Sequence, residues 1–306
     1  MSPGWTDTIL RAFSFSTDKG HIQIGIELEN EQYNFSQAWE LYKQFKNNGR
    51  GPRLDFLQIM VEADFFHLET FEEVWSTLKE IRPLQDLKLK QPFKFLPPVG
   101  RPQKILCMGR NYQAHAQELG NPVPKEPIFF SKSPSAILAH EEKIRLPKNV
   151  GRVDFEGELA FVIGKPAAHI SEKYAFDFIA GFSLLNDVTA RDLQKQDIKE
   201  GRPWFRSKSF DTFCPFGPYL VPKDAIKNHR DLQLQVRLNG EIKQQAAISQ
   251  MVFDLREIVA YFSRHCTLQP GDVIATGTPS GVGALNPGDI VECEISELGT
   301  LRNSAE

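Results

Sequence analysis

The chain has 306 residues, 25% of them charged, and a formal net charge of −3 at pH 7. That balance excludes a polyanion binder, which would carry a basic excess, and no apolar run reaches the length of a membrane span. Residues 1–11 lack a basic region followed by an apolar core, and the four cysteines (Cys107, Cys214, Cys266 and Cys293) are scattered without a Cys-x-x-Cys pair. They read as reduced thiols in a cytoplasmic protein with neither nucleic-acid nor membrane partners.

Two units are expected, residues 1–97 and 98–306. In the first, residues 9–15 and 21–28 read as strands around Thr17-Asp18-Lys19-Gly20, a hairpin signal. Ala38, Leu41, Tyr42 and Phe45 have helical spacing, and that helix should end near Gly49. Thr70-x-x-Glu73 reads as a capping box before Val74, Leu78 and Ile81. This small α/β unit carries no obvious catalytic set, and Pro92, Pro97, Pro98 and Pro102 mark a linker-like passage after it.

The second unit opens with a buried strand at 104–109 that runs into Arg110-Asn111-Tyr112. Residues 112–119 read as a short helix that places His115 and Glu118 on one face. A carboxylate beside an imidazole fixes its tautomer and raises its basicity, so the pair suits water activation or proton transfer; it equally fits an ordinary surface helix. Residues 120–127, with three prolines, read as a loop over a site, and residues 127–136 as a strand that ends near Lys132.

The most informative stretch is 154–194. Glu156 and Glu158 head an apolar, strand-like run at 159–163, and a strand would put both carboxylates on one face. Two such carboxylates repel each other and resist burial, so a cation belongs between them unless they line a solvated face. Asp187 ends a second apolar run, just before a helical 190–195, and offers a third oxygen ligand. An all-oxygen set suits Mg²⁺, with Mn²⁺ or Ca²⁺ also admissible. Lys208 sits in an apolar passage and is costly to bury without an anion; an exposed strand edge is the alternative. Residues 232–245 read as a hairpin about Asn239-Gly240, and 254–262 as an amphipathic helix. Residues 271–283 read as a strand entering a glycine-rich loop. Its N–H groups and the Thr278 hydroxyl suit a carboxylate, or the loop is a surface turn.

Five passages together resemble the fumarylacetoacetate hydrolase family. They are Gly109-Arg110-Asn111-Tyr112 with His115 and Glu118; Glu156-Gly157-Glu158 with the run to Gly164; Asn186-Asp187 through Arg191 and Gln194; Lys208-Ser209-Phe210; and Gly277-Thr278-Pro279-x-Gly281-Val282-Gly283. The resemblance implies an α+β, mainly β protein with a β-roll catalytic domain, often a homodimer, behind a small N-terminal domain. It implies an enzyme whose metal ligands are Glu156, Glu158 and Asp187, holding Mg²⁺ or Mn²⁺. His115, Glu118 and Lys208 would be the catalytic groups, and Arg110, Tyr112, Arg191, Gln194 and Thr278 would bind substrate. The substrate would be a small 2-oxo or 2-hydroxy-dienoic acid reacting through its enolate. Hydrolysis of a C–C bond in an acylpyruvate such as fumarylpyruvate comes first. Isomerisation or decarboxylation of hydroxymuconate-type diacids, and oxaloacetate decarboxylation or tautomerisation, are the alternatives. A non-catalytic, metal-stabilised protein would have no need of His115, Glu118 and Lys208. Ser133 separates Lys132 from Pro134 where many members run Lys-Pro, which leaves Lys132 without an assigned role.

Overall fold

The computed structural model describes residues 9–81, 84–90, 92–118 and 120–306. The expected helix end at Leu119 and most of residues 1–11 lie outside them.

The chain begins with β1 (Arg11–Thr17), β2 (Ile22–Leu28) and β3 (Glu31–Asn34), followed by α1 (Phe35–Asn47), α2 (Leu57–Glu62), α3 (Leu68–Ile81) and β4 (Phe93–Leu96). It continues through β5 (Ile105–Gly109), α4 (Gln113–Glu118), β6 (Ile128–Lys132), β7 (Ile137–Leu138), β8 (Lys143–Ile144), β9 (Val153–Phe155), β10 (Gly157–Ile163), α5 (Glu172–Ala175), β11 (Ile179–Asn186), β12 (Thr189–Ala190), α6 (Arg191–Lys199) and α7 (Phe205–Lys208). The last third holds β13 (Cys214–Pro215), β14 (Tyr219–Pro222), β15 (Gln233–Leu238), β16 (Glu241–Ala247), α8 (Leu255–His265), β17 (Val273–Ala275), β18 (Gly283–Ala284), β19 (Ile290–Ile295) and β20 (Gly299–Ala305).

The fold is mixed α+β and mainly sheet. Among the described residues a ten-stranded sheet runs β3-β2-β1-β14-β11-β10-β17-β5-β6, with β4 paired to β1. A five-stranded sheet runs β16-β15-β19-β20-β8. Strand β10 is central, and every residue in it is buried. Leu159, Phe161 and Ile163 enter one apolar cluster, while Ala160 and Val162 enter another on the opposite face. Burial on both faces explains the unbroken apolar run, where a one-sided strand would alternate.

The second cluster joins residues from the first 97 positions to residues of the rest of the chain. Leu10, Ile24, Phe35 and Phe71 share it with Ala160, Leu185 and Leu220, and Ala12 pairs in register with Leu220 across β1 and β14.

Several local expectations hold. The β1–β2 hairpin, the β15–β16 hairpin with Asn239 and Gly240 at positive φ, and the helices at α1 and α8 stand where the pattern put them. The capping box at Thr70 does not. Helix α3 starts at Leu68, and the Thr70 N–H already bonds the His67 carbonyl at 3.1 Å, so the threonine lies inside the first turn. A capping box is instead formed by Asp254 and Glu257 at the head of α8.

Leu220→Ala should cost about 2–5 kcal/mol, the range for emptying a buried leucine site. Denaturant unfolding measures it, and a loss well below that range would show that the shared cluster does not hold residues 1–97 to the rest of the chain.

Candidate metal centre and active site

Strand β9 stops at Phe155 and β10 resumes at Gly157, so Glu156 lies at the break, not within a strand as its spacing suggested. Its backbone N–H donates to the Asn186 side-chain oxygen at 2.9 Å, and its carbonyl accepts from the Asp187 N–H at 2.8 Å. The second strand of the pair, β11, thereby delivers Asp187 beside Glu156. Glu158 stands two residues on, opposite Leu185. One carboxylate oxygen from each of Glu156, Glu158 and Asp187 lies within 4.8 Å of the others, and all three residues are buried.

Cations compensate this cluster unevenly. The Lys208 ammonium, on the turn α7 and not on a strand edge, donates to Glu156 at 2.7 Å and to Asp187 at 2.5 Å. Lys132 donates to the other oxygen of Asp187 at 2.5 Å and to the Val188 carbonyl at 3.2 Å. Arg191 pairs with Glu156, bonds Asp154 at 2.8 Å and the Gln194 side-chain oxygen at 2.6 Å. Burial alone would raise the Glu156 carboxyl, but Lys208 and Arg191 outweigh it and hold the group well below the usual carboxylate range. Glu158 behaves oppositely. Burial, then the charges of Asp187 and Glu156, push it well above that range; the Gly277 N–H at 2.7 Å and the charge of Lys208 oppose this without offsetting it.

A buried oxygen triad with one under-compensated member suits a hard divalent cation, so the residues present fit the metal that the sequence pattern suggests. Glu156, Glu158 and Asp187 would hold it.

The other groups converge on the same place. Arg110, His115, Glu156, Glu158, Arg191, Gln194, Lys208 and Thr278 line one small cavity of about 50 Å³. His115 is buried, and its Nδ1 lies 3.2 Å from Glu118. With Nδ1 engaged, Nε2 is the nitrogen left for substrate or water. The glycine-rich loop does hold carboxylates, but they are the chain's own: Gly277 N–H donates to Glu158, and Gly281 N–H to Glu118 at 3.0 Å. Gly281 has φ +98, and a Cβ there would stand 1.9 Å from the Lys243 carbonyl oxygen, so only glycine fits. The Thr278 hydroxyl donates to the Gly157 carbonyl and accepts from Gln244, both at 2.8 Å. Tyr112 is buried, does not line the cavity, and its hydroxyl has no hydrogen-bond partner among the described residues.

Three residues at this site were not assigned from the sequence. Asp154, fully buried, anchors Arg191; it continues the period-two spacing of Glu156 and Glu158 backwards, a signal present in the sequence. Lys132 and Gln244 had no local signal. A larger concavity of about 740 Å³ is lined by residues between His21 and Leu87, and there Lys43 pairs with Glu40 and Arg53 with Asp55. The cysteines are all free thiols, and among the described residues no helix is long and apolar enough to cross a membrane.

Residues 104–305 match the family described as Fumarylacetoacetate (FAA) hydrolase C-terminal. A mitochondrial oxaloacetate tautomerase of Xenopus laevis is 43% identical over 244 residues, 77% of this chain and 76% of that protein. A fumarylacetoacetate hydrolase from Exiguobacterium antarcticum superposes with a TM-score of 0.78 at 32% identity, covering 97% of this chain and 99% of the other. A fumarylpyruvate hydrolase from Pseudomonas aeruginosa, solved with Mn²⁺ and pyruvate, has a TM-score of 0.64 at 33% identity over 71% of this chain and 92% of the other.

Mg²⁺ or Mn²⁺ at about one hundred times its Kd should stabilise the wild type by ~2.7 kcal/mol. Asp187→Ala should lose that increment, and equal metal-linked shifts in Tm for both proteins would overturn the ligand assignment. Lys132→Met strands a buried Asp187 oxygen and should destabilise the metal-free protein by about 3–5 kcal/mol in denaturant unfolding; a loss below 1 kcal/mol would show that the pair carries no structural weight.

Proposed function

The chain belongs to the fumarylacetoacetate hydrolase family and is an enzyme of that family, and on that premise we propose that it enolises a short 2-oxo acid, with oxaloacetate-type keto–enol tautomerisation as the first reading. One observation carries the reading: Glu156 and Glu158 of the buried acidic triad and His115, paired with Glu118, line one cavity of about 50 Å³. Pockets for drug-sized ligands run to ~300–1,000 Å³, so this one suits a compact acid. The similarity to the oxaloacetate tautomerase supports the same choice.

Mg²⁺ or Mn²⁺ held by Glu156, Glu158 and Asp187 would supply a Lewis acid that polarises the 2-oxo group. The protein's own groups do the rest. Two of the three Lys208 N–H groups serve Glu156 and Asp187, which leaves one for a substrate oxygen on which negative charge develops. Arg191, fixed by Asp154 and Gln194, presents a guanidinium that cannot move without breaking both contacts. With Glu118 accepting from Nδ1–H, His115 Nε2 takes the C3 proton. The imidazolium, stabilised by the Glu118 carboxylate, then gives that proton to the 2-oxygen and completes the enol.

A second reading is supported by the fumarylpyruvate hydrolase solved with Mn²⁺ and pyruvate. There His115 removes a proton from water, hydroxide adds to the distal carbonyl of an acylpyruvate, the C–C bond breaks, and the pyruvate enolate is protonated at carbon.

With Mg²⁺ or Mn²⁺ supplied, oxaloacetate, fumarylpyruvate, acetylpyruvate and a hydroxymuconate-type diacid distinguish these reactions. His115→Ala should lower turnover on the true substrate ~10²–10⁴-fold and keep the metal-linked rise in Tm. Undiminished turnover in His115→Ala would remove the proposed base, and a wild type silent on all four acids would sink the enolisation reading.

A further inference from the structure

Gln244 lies outside the cavity, yet its side chain reaches both halves of the site. On strand β16 its neighbours Lys243 and Gln245 are exposed, while Gln244 itself is buried. Its Oε1 accepts from the Gly157 N–H at 3.1 Å, across 87 positions of sequence. Its Nε2 donates to the Thr278 hydroxyl at 2.8 Å and to the Pro279 carbonyl at 2.7 Å. The Thr278 hydroxyl donates in turn to the Gly157 carbonyl at 2.8 Å. Gly157, Gln244 and Thr278 therefore close a ring of three hydrogen bonds around the residue that separates Glu156 from Glu158.

Only an amide completes this set of contacts. The Gly157 N–H needs an acceptor and the Pro279 carbonyl needs a donor, which also fixes which end of the amide is the oxygen. A lysine has no acceptor, and an ionised carboxylate has no donor. A carboxylate would also add negative charge near three acids that already repel one another. The surroundings leave the ring little slack. A Cβ on Gly157 would stand 2.3 Å from the Val236 side chain and 3.0 Å from the Cys293 sulfur, so β15 and β19 lie directly behind it. The Lys243 carbonyl, one residue before Gln244, stands where a Cβ on Gly281 would fall.

The ring holds a separation. On one side is the turn that carries Glu156 and Glu158. On the other is the loop whose Gly277 N–H bonds Glu158 at 2.7 Å and whose Gly281 N–H bonds Glu118, the partner of His115, at 3.0 Å. Pro279 is midway in sequence between those two glycines, so Gln244 grips the loop at its centre. A buried glutamine could simply tie a hairpin to the core, but that task needs no contact with both segments at once.

We propose that Gln244 is a positioning residue: its amide fixes the loop Gly277–Gly281 against the Glu156–Glu158 turn, and so sets Glu158 for the metal and Glu118 for His115. The half that concerns His115 rests on the proton-transfer reading above, and the half that concerns the metal does not. Partners that orient metal ligands and bases from behind carry much of a site's precision, although they touch neither metal nor substrate.

The test separates positioning from mere stability. Gln244→Met keeps the bulk and removes the amide. It should raise the Mg²⁺ Kd, read by calorimetry on the metal-free protein, ~10- to 100-fold, and lower kcat at saturating Mg²⁺ by a similar factor with KM little changed. Gln244→Asn shortens the amide so that it cannot span Gly157 and Pro279 together; it should show smaller losses of the same kind, and it carries the test should the methionine variant not fold. Gln245→Met, the same change on the exposed neighbour, should leave both quantities as in wild type. In the His115→Ala background, Gln244→Met should lower turnover by a smaller factor than in wild type and still weaken Mg²⁺ binding, because two residues that act through one group are not additive. A folded Gln244→Met or Gln244→Asn that loses Tm but keeps the wild-type Mg²⁺ Kd and kcat overturns the proposal. An equal factor of loss with and without His115 overturns its His115 half. Catalytic silence of the wild type, with Mg²⁺ binding weakened in Gln244→Met, would instead overturn the enolisation reading and leave the positioning of Glu158 standing.

Discussion

Three carboxylates brought within 4.8 Å of one another and cut off from water repel each other strongly enough to dominate the design of this protein. The fold answers with cations drawn from distant places: Lys132 from the edge strand β6, Lys208 from the turn α7, and Arg191 from the head of α6. Each is tied to more than one acceptor, so none can leave singly without exposing a buried charge. The compensation is deliberately lopsided in its effect. Glu156 is held ionised by its two cations, whereas Glu158, with one backbone N–H and only a more distant share of the lysine's charge, is left as the member that most needs a further positive charge.

The sheet makes that cluster possible by being buried on both faces. Strand β10 gives alternate side chains to two apolar clusters, and only at its N-terminal end, where β9 breaks off and the chain bends, do acids replace them. A charged triad in mid-strand would face packed phenylalanines; at the strand end it faces the short helices α4 and α7, which carry His115 and Lys208, and the loop that carries Thr278. Apolar residues from the first 97 positions cover the face of β10 and β11 opposite the main core.

How much of this was legible in the sequence follows from how local each cause is. Glu156, Glu158 and Asp187 stand out because acids at period two and at the end of an apolar run are locally odd. His115 and Glu118 stand out because helical spacing is local too. Asp154 was equally visible at the same period but went unassigned. Lys132 was not readable, because its partner is 55 residues away and only the pairing of β5 with β6 and the turn after β11 brings them together. The Thr70 motif misled because a capping box is a statement about where a helix starts, and α3 starts three residues earlier than a Thr70 cap requires, with the His67 carbonyl accepting from the Thr70 N–H. Trp204 is silent in sequence: an aromatic residue beside a proline reads as core or loop until Gly109 and Arg110 are placed against it.

The glycine-rich loop links the two halves of the chemistry. Its Gly277 N–H fixes Glu158 of the acidic triad, and its Gly281 N–H, four residues on, fixes Glu118, the partner of His115. Gly281 cannot be replaced without a clash against the Lys243 carbonyl, so the loop is pinned from behind by the neighbouring hairpin. One segment therefore sets the position of one acid of the triad proposed to hold the metal and of the acid paired with His115. Preorganisation of this kind matters because a displaced base costs rate steeply, while a backbone N–H carries no rotamer freedom of its own. The spacing that reads in the sequence like a cradle for a substrate carboxylate works instead as a ruler between the protein's own two carboxylates, Glu158 and Glu118.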